Sequence, residues 1–284
     1  MPAGLGATRR PACALIGPIG LLAMLVSFYA RPRISGRFWP VFMRNLLVWR
    51  KLAVPSVIGN IAEPLITLVA FGYGLGSMIG QIDGRPYISF LASGSIAVSA
   101  VLAATFEALY SAYSRMQVQK TWDGIMNAPI ALDDIVFAEM LWAAFKSLFS
   151  VAAIMIVIFA LGISRAPTML LALPVLGLIG ITFASVALVF NALAKGYDFF
   201  TYYFTLVITP MTFLSGVYFP IAQMPHWLQD VARVLPLTAA VELVRPLILG
   251  TLPVDVLGPT LILVAYAVGG YYLALVLTRR RFFK

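Results

Sequence analysis

Six separate apolar stretches, each about 20 residues long, run along this chain, and almost every cation falls in alternate gaps between them. A helix rises 1.5 Å per residue, so ~20 apolar residues cross the ~30 Å hydrocarbon core of a bilayer with every backbone hydrogen bond made internally. The pattern predicts an all-α polytopic membrane protein. Its six transmembrane helices are expected at about 53–78, 88–112, 134–162, 169–194, 197–219 and 256–278.

Composition agrees. The 284 residues are 61% hydrophobic and only 11% charged, against ~25% charged in a soluble domain. The net charge of +9 does not point to nucleic acid, because the cations sit at the ends of apolar runs and not in a stripe on a soluble surface. A single cysteine, Cys13, excludes an intrachain disulfide. The one histidine, His226, has no Cys/His cluster around it, which argues against zinc or haem. Beside Trp227, it reads as a helix-end or interfacial residue.

The cations give a direction. One set of gaps holds Arg31, Arg33, Arg37, Arg44, Arg50, Lys51, Arg115, Lys120, Lys195, Arg279, Arg280, Arg281 and Lys284. The opposite set holds only Arg85, Arg165, Arg233 and Arg245. The positive-inside rule then places both ends of the six-span core in the cytoplasm.

Ahead of the first span, Phe38, Trp39, Phe42, Leu46 and Trp49 recur at spacings of three and four, interleaved with Arg37, Arg44, Arg50 and Lys51. This is an amphipathic helix over 36–52, suited to the headgroup layer. Residues 1–35 form an unassigned extension. Its apolar run at 11–30 has arginines at both ends and breakers at Pro11, Gly17, Pro18 and Gly20, which contradict a simple span. Between Phe219 and Asp255 lie two apolar, helix-length pieces, about 226–235 and 237–249, too short to span. They read as a re-entrant hairpin in the outer leaflet, with Trp227 near the interface.

No G-x-x-x-x-G-K-[ST] loop occurs in these residues, nor G-x-S-x-G or H-E-x-x-H, so no catalytic, cofactor or metal residue is assigned. The stretch Tyr113 to Asp134 mixes Arg115, Lys120 and Asp123 with Trp122, and Pro129 breaks it. It reads equally as an ordinary loop and as a docking surface, with Asp133 and Asp134 placed to cap the next helix. In the fifth span, Asp198, Tyr202, Thr205, Thr209 and Thr212 are spaced by four, three, four and three, so they line one helix face. That face serves either to bond neighbouring helices or to wall a conduit for sugar hydroxyls. Ser89, Ser93, Ala97, Ala100, Ala104 and Glu107 in the second span, and Gly72 with Gly76 in the first, read as close-packing faces. Asn60, Glu63, Glu107, Glu139, Lys146 and Asn191 are polar positions in or beside apolar runs. They are scattered toward span ends, which gives weak support to a proton relay.

Together these features resemble the permease subunit of an ABC-2 type exporter. Ile208, Met211, Leu214, Ser215, Val217, Met224, Pro225, Pro236, Leu237 and Arg245 fit that family's spaced motif, and Ala239 departs from it. The runs FWPVFMRNLLVWRKLAVPSVIGNIAEPLITLVAFGYGLG, KTWDGIMNAPIALDDIVFAEMLWA and FLSGVYFPIAQMP look like the nodulation protein J group, over about residues 36–280. The resemblance implies an ABC-2 membrane domain over 36–284 that works as a dimer above two nodulation protein I-like ATPase subunits. ATP and Mg would act on those subunits and not on this chain. It implies export of lipochitooligosaccharides (acylated chitin oligomers) or related amphiphilic glycans. The coupling element would carry Arg115, Lys120, Trp122, Asp123 and Pro129, and the Asp198–Thr212 face would line the path. Two other readings are a permease for a drug or another lipid and an ion-gradient carrier. A membrane-embedded enzyme ranks last.

Overall fold

A computed structural model describes residues 29–82 and 84–283. The apolar run at 11–30 falls almost wholly outside them, as do the side chains of Asn60 and Glu63. In chain order the elements are α1 (Phe38–Arg50), α2 (Ala53–Gly74), α3 (Gly76–Ile79), β1 (Gln81–Ile82), β2 (Arg85–Pro86), α4 (Tyr87–Phe106), α5 (Thr121–Met126), α6 (Leu132–Ala160), α7 (Ala172–Leu193), α8 (Asp198–Tyr203), α9 (Thr209–Leu214), α10 (His226–Val234), α11 (Pro236–Leu249) and α12 (Leu257–Phe282). The two-residue strands pair antiparallel, Gln81 with Pro86 and Ile82 with Arg85.

Among the described residues, four helices are long and apolar enough to cross a bilayer: Tyr87–Val118, Leu132–Ala160, Pro167–Leu193 and Leu257–Phe282. They answer to the second, third, fourth and sixth apolar stretches. The other two stretches are helical as well, and each carries a departure from regular α geometry or hydrogen bonding. Pro64 sits inside α2, where its ring cannot donate to the helix ladder. A π turn, Phe204–Ile208, separates α8 from α9.

Lipid tails are as apolar as leucine, so helices in a membrane associate through close packing and polar contacts. Small residues supply the close packing here. Ser93, Ala97, Ala100 and Ala104 of α4 are fully buried, as their spacing predicts. Gly180 of α7 backs onto α6, where an added Cβ would lie 2.5 Å from Ser147 Oγ and 3.0 Å from Ala144 Cα. Gly270 of α12 approaches the α7 backbone at Ser185 and Val186 in the same way. Gly72 of α2 meets Ile88 at the start of α4.

The amphipathic helix α1 forms as its pattern predicts, and its aromatic face runs alongside the first half of α6. Phe38 meets Phe137 at 5.0 Å between ring centroids, Phe42 meets Phe145 at 5.7 Å, and Trp49 meets Phe149 at 5.1 Å, each edge-on. Edge-to-face contact is the favoured aromatic geometry. The opposite face of α1 is exposed at Trp39, Leu47 and Val48.

Two helices, α10 and α11, lie between Phe219 and Asp255. α10 is mostly exposed, with Trp227 66% accessible, while α11 is packed into the bundle. The last carbonyls of α11 have no partner within the helix, and donors from elsewhere fill them. Thr168 Oγ1 donates to Leu247 at 2.7 Å, Ser164 Oγ to Ile248, and Arg85 Nη1 to Leu249. Gly250 then leaves the helix at φ +90°, a left-handed conformation that glycine takes without strain.

Asp133 and Asp134 do not cap α6, contrary to the sequence expectation. Their carboxylates hold the chain ahead of α1. Arg33 N donates to Asp133 at 2.9 Å, and Ser35 donates to Asp134 through N at 2.7 Å and Oγ at 2.8 Å. Arg279, near the end of α12, pairs with Asp133 as well. Long-range donors outcompete the local backbone here.

Candidate functional site

The helix begun by α4 continues past Phe106 to Val118 through two π turns, Glu107–Ser111 and Ser114–Val118. A π turn breaks the regular i→i−4 pattern and is common at functional positions. Asn191 of α7 supports the first one. Its Nδ2 donates to the carbonyls of Ala108 at 2.7 Å and Leu109 at 3.3 Å.

Side chains on a helix lean toward its N-terminus, so Arg115 reaches back toward Glu107. Its Nη2 lies 2.9 Å from Glu107 Oε1. α6 supplies the other members. Glu139, Trp142 and Lys146 stand at i, i+3 and i+7 and share one face. Arg115 also donates through Nε at 3.0 Å and Nη2 at 2.5 Å to Glu139. Lys146 Nζ lies 2.7 Å from Glu107 Oε2. Two indoles complete the set: Trp142 Nε1 donates to Glu107 at 2.8 Å and Trp122 Nε1 to Glu139 at 3.3 Å.

Glu107 and Glu139 are 3% and 1% exposed. Moving a charge out of water costs several kcal/mol unless it is paired and hydrogen-bonded. Two carboxylates face two cations here, and each carboxylate also receives an indole donor. Three of the polar positions that look scattered in the sequence, Glu107, Glu139 and Lys146, therefore form one neutral network with Arg115.

A cavity of about 380 Å³ adjoins the network, lined by Arg44, Asn45 and Trp49 of α1 together with Glu107, Ser111 and Lys146. Arg44 Nη1 donates to Asn45 Oδ1 at 3.0 Å. Burial, and then the like charge of Arg115, weaken the hold of Arg44 on its proton, while Glu139 opposes them.

The five residues expected to form a coupling element divide into two groups. Arg115 and Trp122 point into the bundle; Trp122 is 1% exposed and stacks on Phe282 at 6.0 Å. Lys120, Asp123 and Pro129 are exposed. Lys120 has φ +49°, the only positive value among the described non-glycine residues. It marks the corner where the long helix breaks and α5 begins.

The hydroxyl face of the fifth stretch is also divided. Asp198, Tyr202, Thr205 and Thr209 are exposed, whereas Thr212 is 8% exposed and donates to Ile208 O at 2.8 Å. The spacing argument assumes continuous α geometry. Thr209 and Thr212 both follow the π turn, and of the two only Thr212 turns into the bundle. Sequence reasoning did not assemble the Glu107–Arg115–Glu139–Lys146 network. The i, i+3, i+7 spacing of Glu139, Trp142 and Lys146 was the available signal.

The model of the ABC-2 type transporter family matches residues 36–249. The chain belongs to the ABC-2 type transporter family. Nodulation protein J of Rhizobium leguminosarum bv. trifolii is 45% identical over 255 residues, covering 90% of this chain and 97% of that protein. Nodulation protein J of Sinorhizobium fredii is 43% identical over 241 residues, 85% of this chain and 92% of the relative. The inner membrane transport permease YadH of Escherichia coli is 25% identical over 238 residues, 84% of this chain and 91% of that permease. The ABC-2 match spans α1 through α11, and so includes both walls of the cavity and the whole charged network.

Proposed function

We propose that this ABC-2 permease is the membrane gate of an ATP-driven exporter, moving a lipochitooligosaccharide or related amphiphilic glycan out across the bacterial inner membrane. In this reading the chain spans six times with both ends of the core in the cytoplasm, and α10 and α11 form a re-entrant hairpin. It pairs with a second copy of itself and with a separate nodulation protein I-like ATPase, which carries ATP and Mg. The observation that carries the reading is the extent of identity to proteins named nodulation protein J, over 85–90% of this chain in the two relatives above. The similarity to a permease of Escherichia coli outside that group favours a second reading, a drug or another lipid as cargo.

The arrangement of the coupling segment supports an ATPase below it. Lys120, Asp123 and Pro129 form an outward surface on α5 and the turn after it, while Trp122 and Arg115 fix that surface to the network. A push on α5 is carried to α4 and α6 through charged side chains. The exposed face of Asp198, Tyr202, Thr205 and Thr209 is available to line a path between two copies, with hydroxyls for the sugars and rings for their C–H faces.

Asp123→Lys is expected to abolish coupling to the ATPase while leaving folding intact, because its side chain touches the outside only. Export by membrane vesicles, and ATPase co-purified with tagged protein, measure the two halves. Normal export in the variant, or transport that survives ATP depletion with no ATPase co-purifying, overturns the reading. An unchanged profile of secreted amphiphilic glycans after deletion of the gene overturns the glycan cargo in favour of another lipid.

A further inference from the structure

The cavity beside α1 contains more donors than its own residues satisfy. Arg44 has no carboxylate partner among the described residues, and it sits close enough to Arg115 to feel its charge. Two other lining residues carry buried donors without a partner among the described residues, Asn45 Nδ2 and Trp49 Nε1. Asn45 is 3% exposed. Buried donors without acceptors are rare because each costs about 1–3 kcal/mol. The charges around the cavity also do not cancel: Arg44, Arg115 and Lys146 face Glu107 and Glu139, leaving a surplus of one positive charge.

Its depth is defined by α4. Tyr87–Phe106 is 20 residues long, about 30 Å of helix, which is the thickness of the hydrocarbon core. The cavity begins at Glu107, where that length ends, and continues beside Ser111 and Arg115. On the α1 side its lining includes Val48 and Leu52, which are 56% and 61% exposed. Polar groups inside and apolar side chains at the rim match a ligand with a charged head and apolar tails.

We propose that this cavity binds the phosphodiester of an anionic inner-leaflet phospholipid of the phosphatidylglycerol class. The phosphate carries one negative charge and two free oxygens, which answer the surplus charge and the donors of Arg44, Asn45 and Trp49. The glycerol hydroxyls face Ser111 and Ser114, and the acyl chains lie over Val48 and Leu52. The site rests on the placement of α1 at the cytoplasmic boundary given above, but not on the cargo or the ATPase. A bound phosphate ties α1 to α4 and α6.

Native mass spectrometry of the full chain in detergent, titrated with phosphatidylglycerol or phosphatidylcholine, tests it. Phosphatidylglycerol is expected to bind at least about fivefold tighter, the scale of one added cation–lipid attraction. Arg44→Gln is expected to bring the two lipids within about twofold. Trp49→Phe, which keeps the aromatic packing but removes a donor to the phosphate, is expected to weaken both lipids while leaving the preference in place. Arg50→Gln and Lys51→Gln, on the exposed surface next door, are expected to leave the preference intact.

Equal affinity for the two lipids in the unaltered chain overturns the proposal. So does an equal loss from Arg50→Gln, which would make the preference diffuse surface attraction. Displacement of phosphatidylglycerol by millimolar inorganic phosphate would assign the site to the free anion and overturn the lipid. A failed ATPase co-purification leaves all these lipid outcomes unchanged. Cysteine labelling at position 50 from each side of the membrane checks the placement of α1 separately.

Discussion

The two ends of α4 each receive an arginine, and they satisfy it differently. At the Glu107 end, Arg115 meets two buried carboxylates, and Lys146 shares one of them. At the Tyr87 end, Arg245 of α11 reaches a carbonyl, a hydroxyl and a ring. Its Nη2 donates to Gly216 O at 2.7 Å, its Nε to Ser93 Oγ at 3.2 Å, and its guanidinium lies 3.8 Å from the centre of the Phe90 ring. Gly216 holds φ +71°, so the carbonyl that accepts from Arg245 belongs to a left-handed turn after α9. A guanidinium on carbonyl and π acceptors ties elements together, and those acceptors carry no charge of their own. A guanidinium between carboxylates is different: each member of the group depends on the others. The first arrangement suits a fixed joint. The second suits a place where a displaced helix has to be registered elsewhere.

The contrast predicts unequal costs, and the largest falls on Arg115. Arg115→Met leaves Glu107 and Glu139 buried with Lys146 as the remaining cation. Losing one partner of a buried ion group costs about 3–5 kcal/mol, so a large drop in thermal stability is expected in nanodiscs. Adding Glu139→Gln removes the orphaned charge and is expected to restore part of the loss. If the double variant is no better than the single one, the cost lies in packing and not in charge.

Arg245→Met tests the other end. It forfeits the charge-assisted bonds to the Gly216 carbonyl and the Ser93 hydroxyl, each about 1.5–3 kcal/mol. Its unfolding midpoint is expected to fall by clearly less than that of Arg115→Met in the same nanodiscs. Equal losses would erase the distinction drawn between the two ends.

The two ends also differ in how much of them the sequence discloses. Arg245 belongs to a spaced motif together with Ser215 and Val217, so its importance is visible before its contacts are. Helix positions follow from apolar length, and α1, α10 and α11 form within a few residues of where their patterns place them. The buried small-residue face of α4 is equally legible, because its period of three and four is purely local. The ion network is not. Glu107 and Glu139 stand 32 positions apart on different helices, and only the pairing of α4 with α6 brings them to one guanidinium. The π turns escape notice for a related reason. The one at Glu107–Ser111 depends on Asn191 of a third helix to take up the carbonyls it leaves open. Asp133 and Asp134 look like caps because capping is local; their partners are Arg33, Ser35 and Arg279, far away in the chain.

The smallest predicted effect sharpens the comparison from inside the network. Trp122 plays two parts there: its ring stacks on Phe282 with an interplanar angle of 19°, and its Nε1 donates to Glu139 at 3.3 Å. Trp122→Phe keeps a ring in the stack and deletes the donor. Glu139 retains two bonds from Arg115, so the loss is expected near the low end of a single hydrogen bond, about 0.5–1.5 kcal/mol. Hydrogen exchange along Thr121–Met126 reads this more finely than a global midpoint, because the bond holds α5 to α6 and not the bundle to itself. Faster exchange confined to α5 is the expected result, with the spans unaffected. Exchange that quickens equally in α6 and α12 would mean that Trp122 supports the core, and the ion network would then extend no further outward than Arg115.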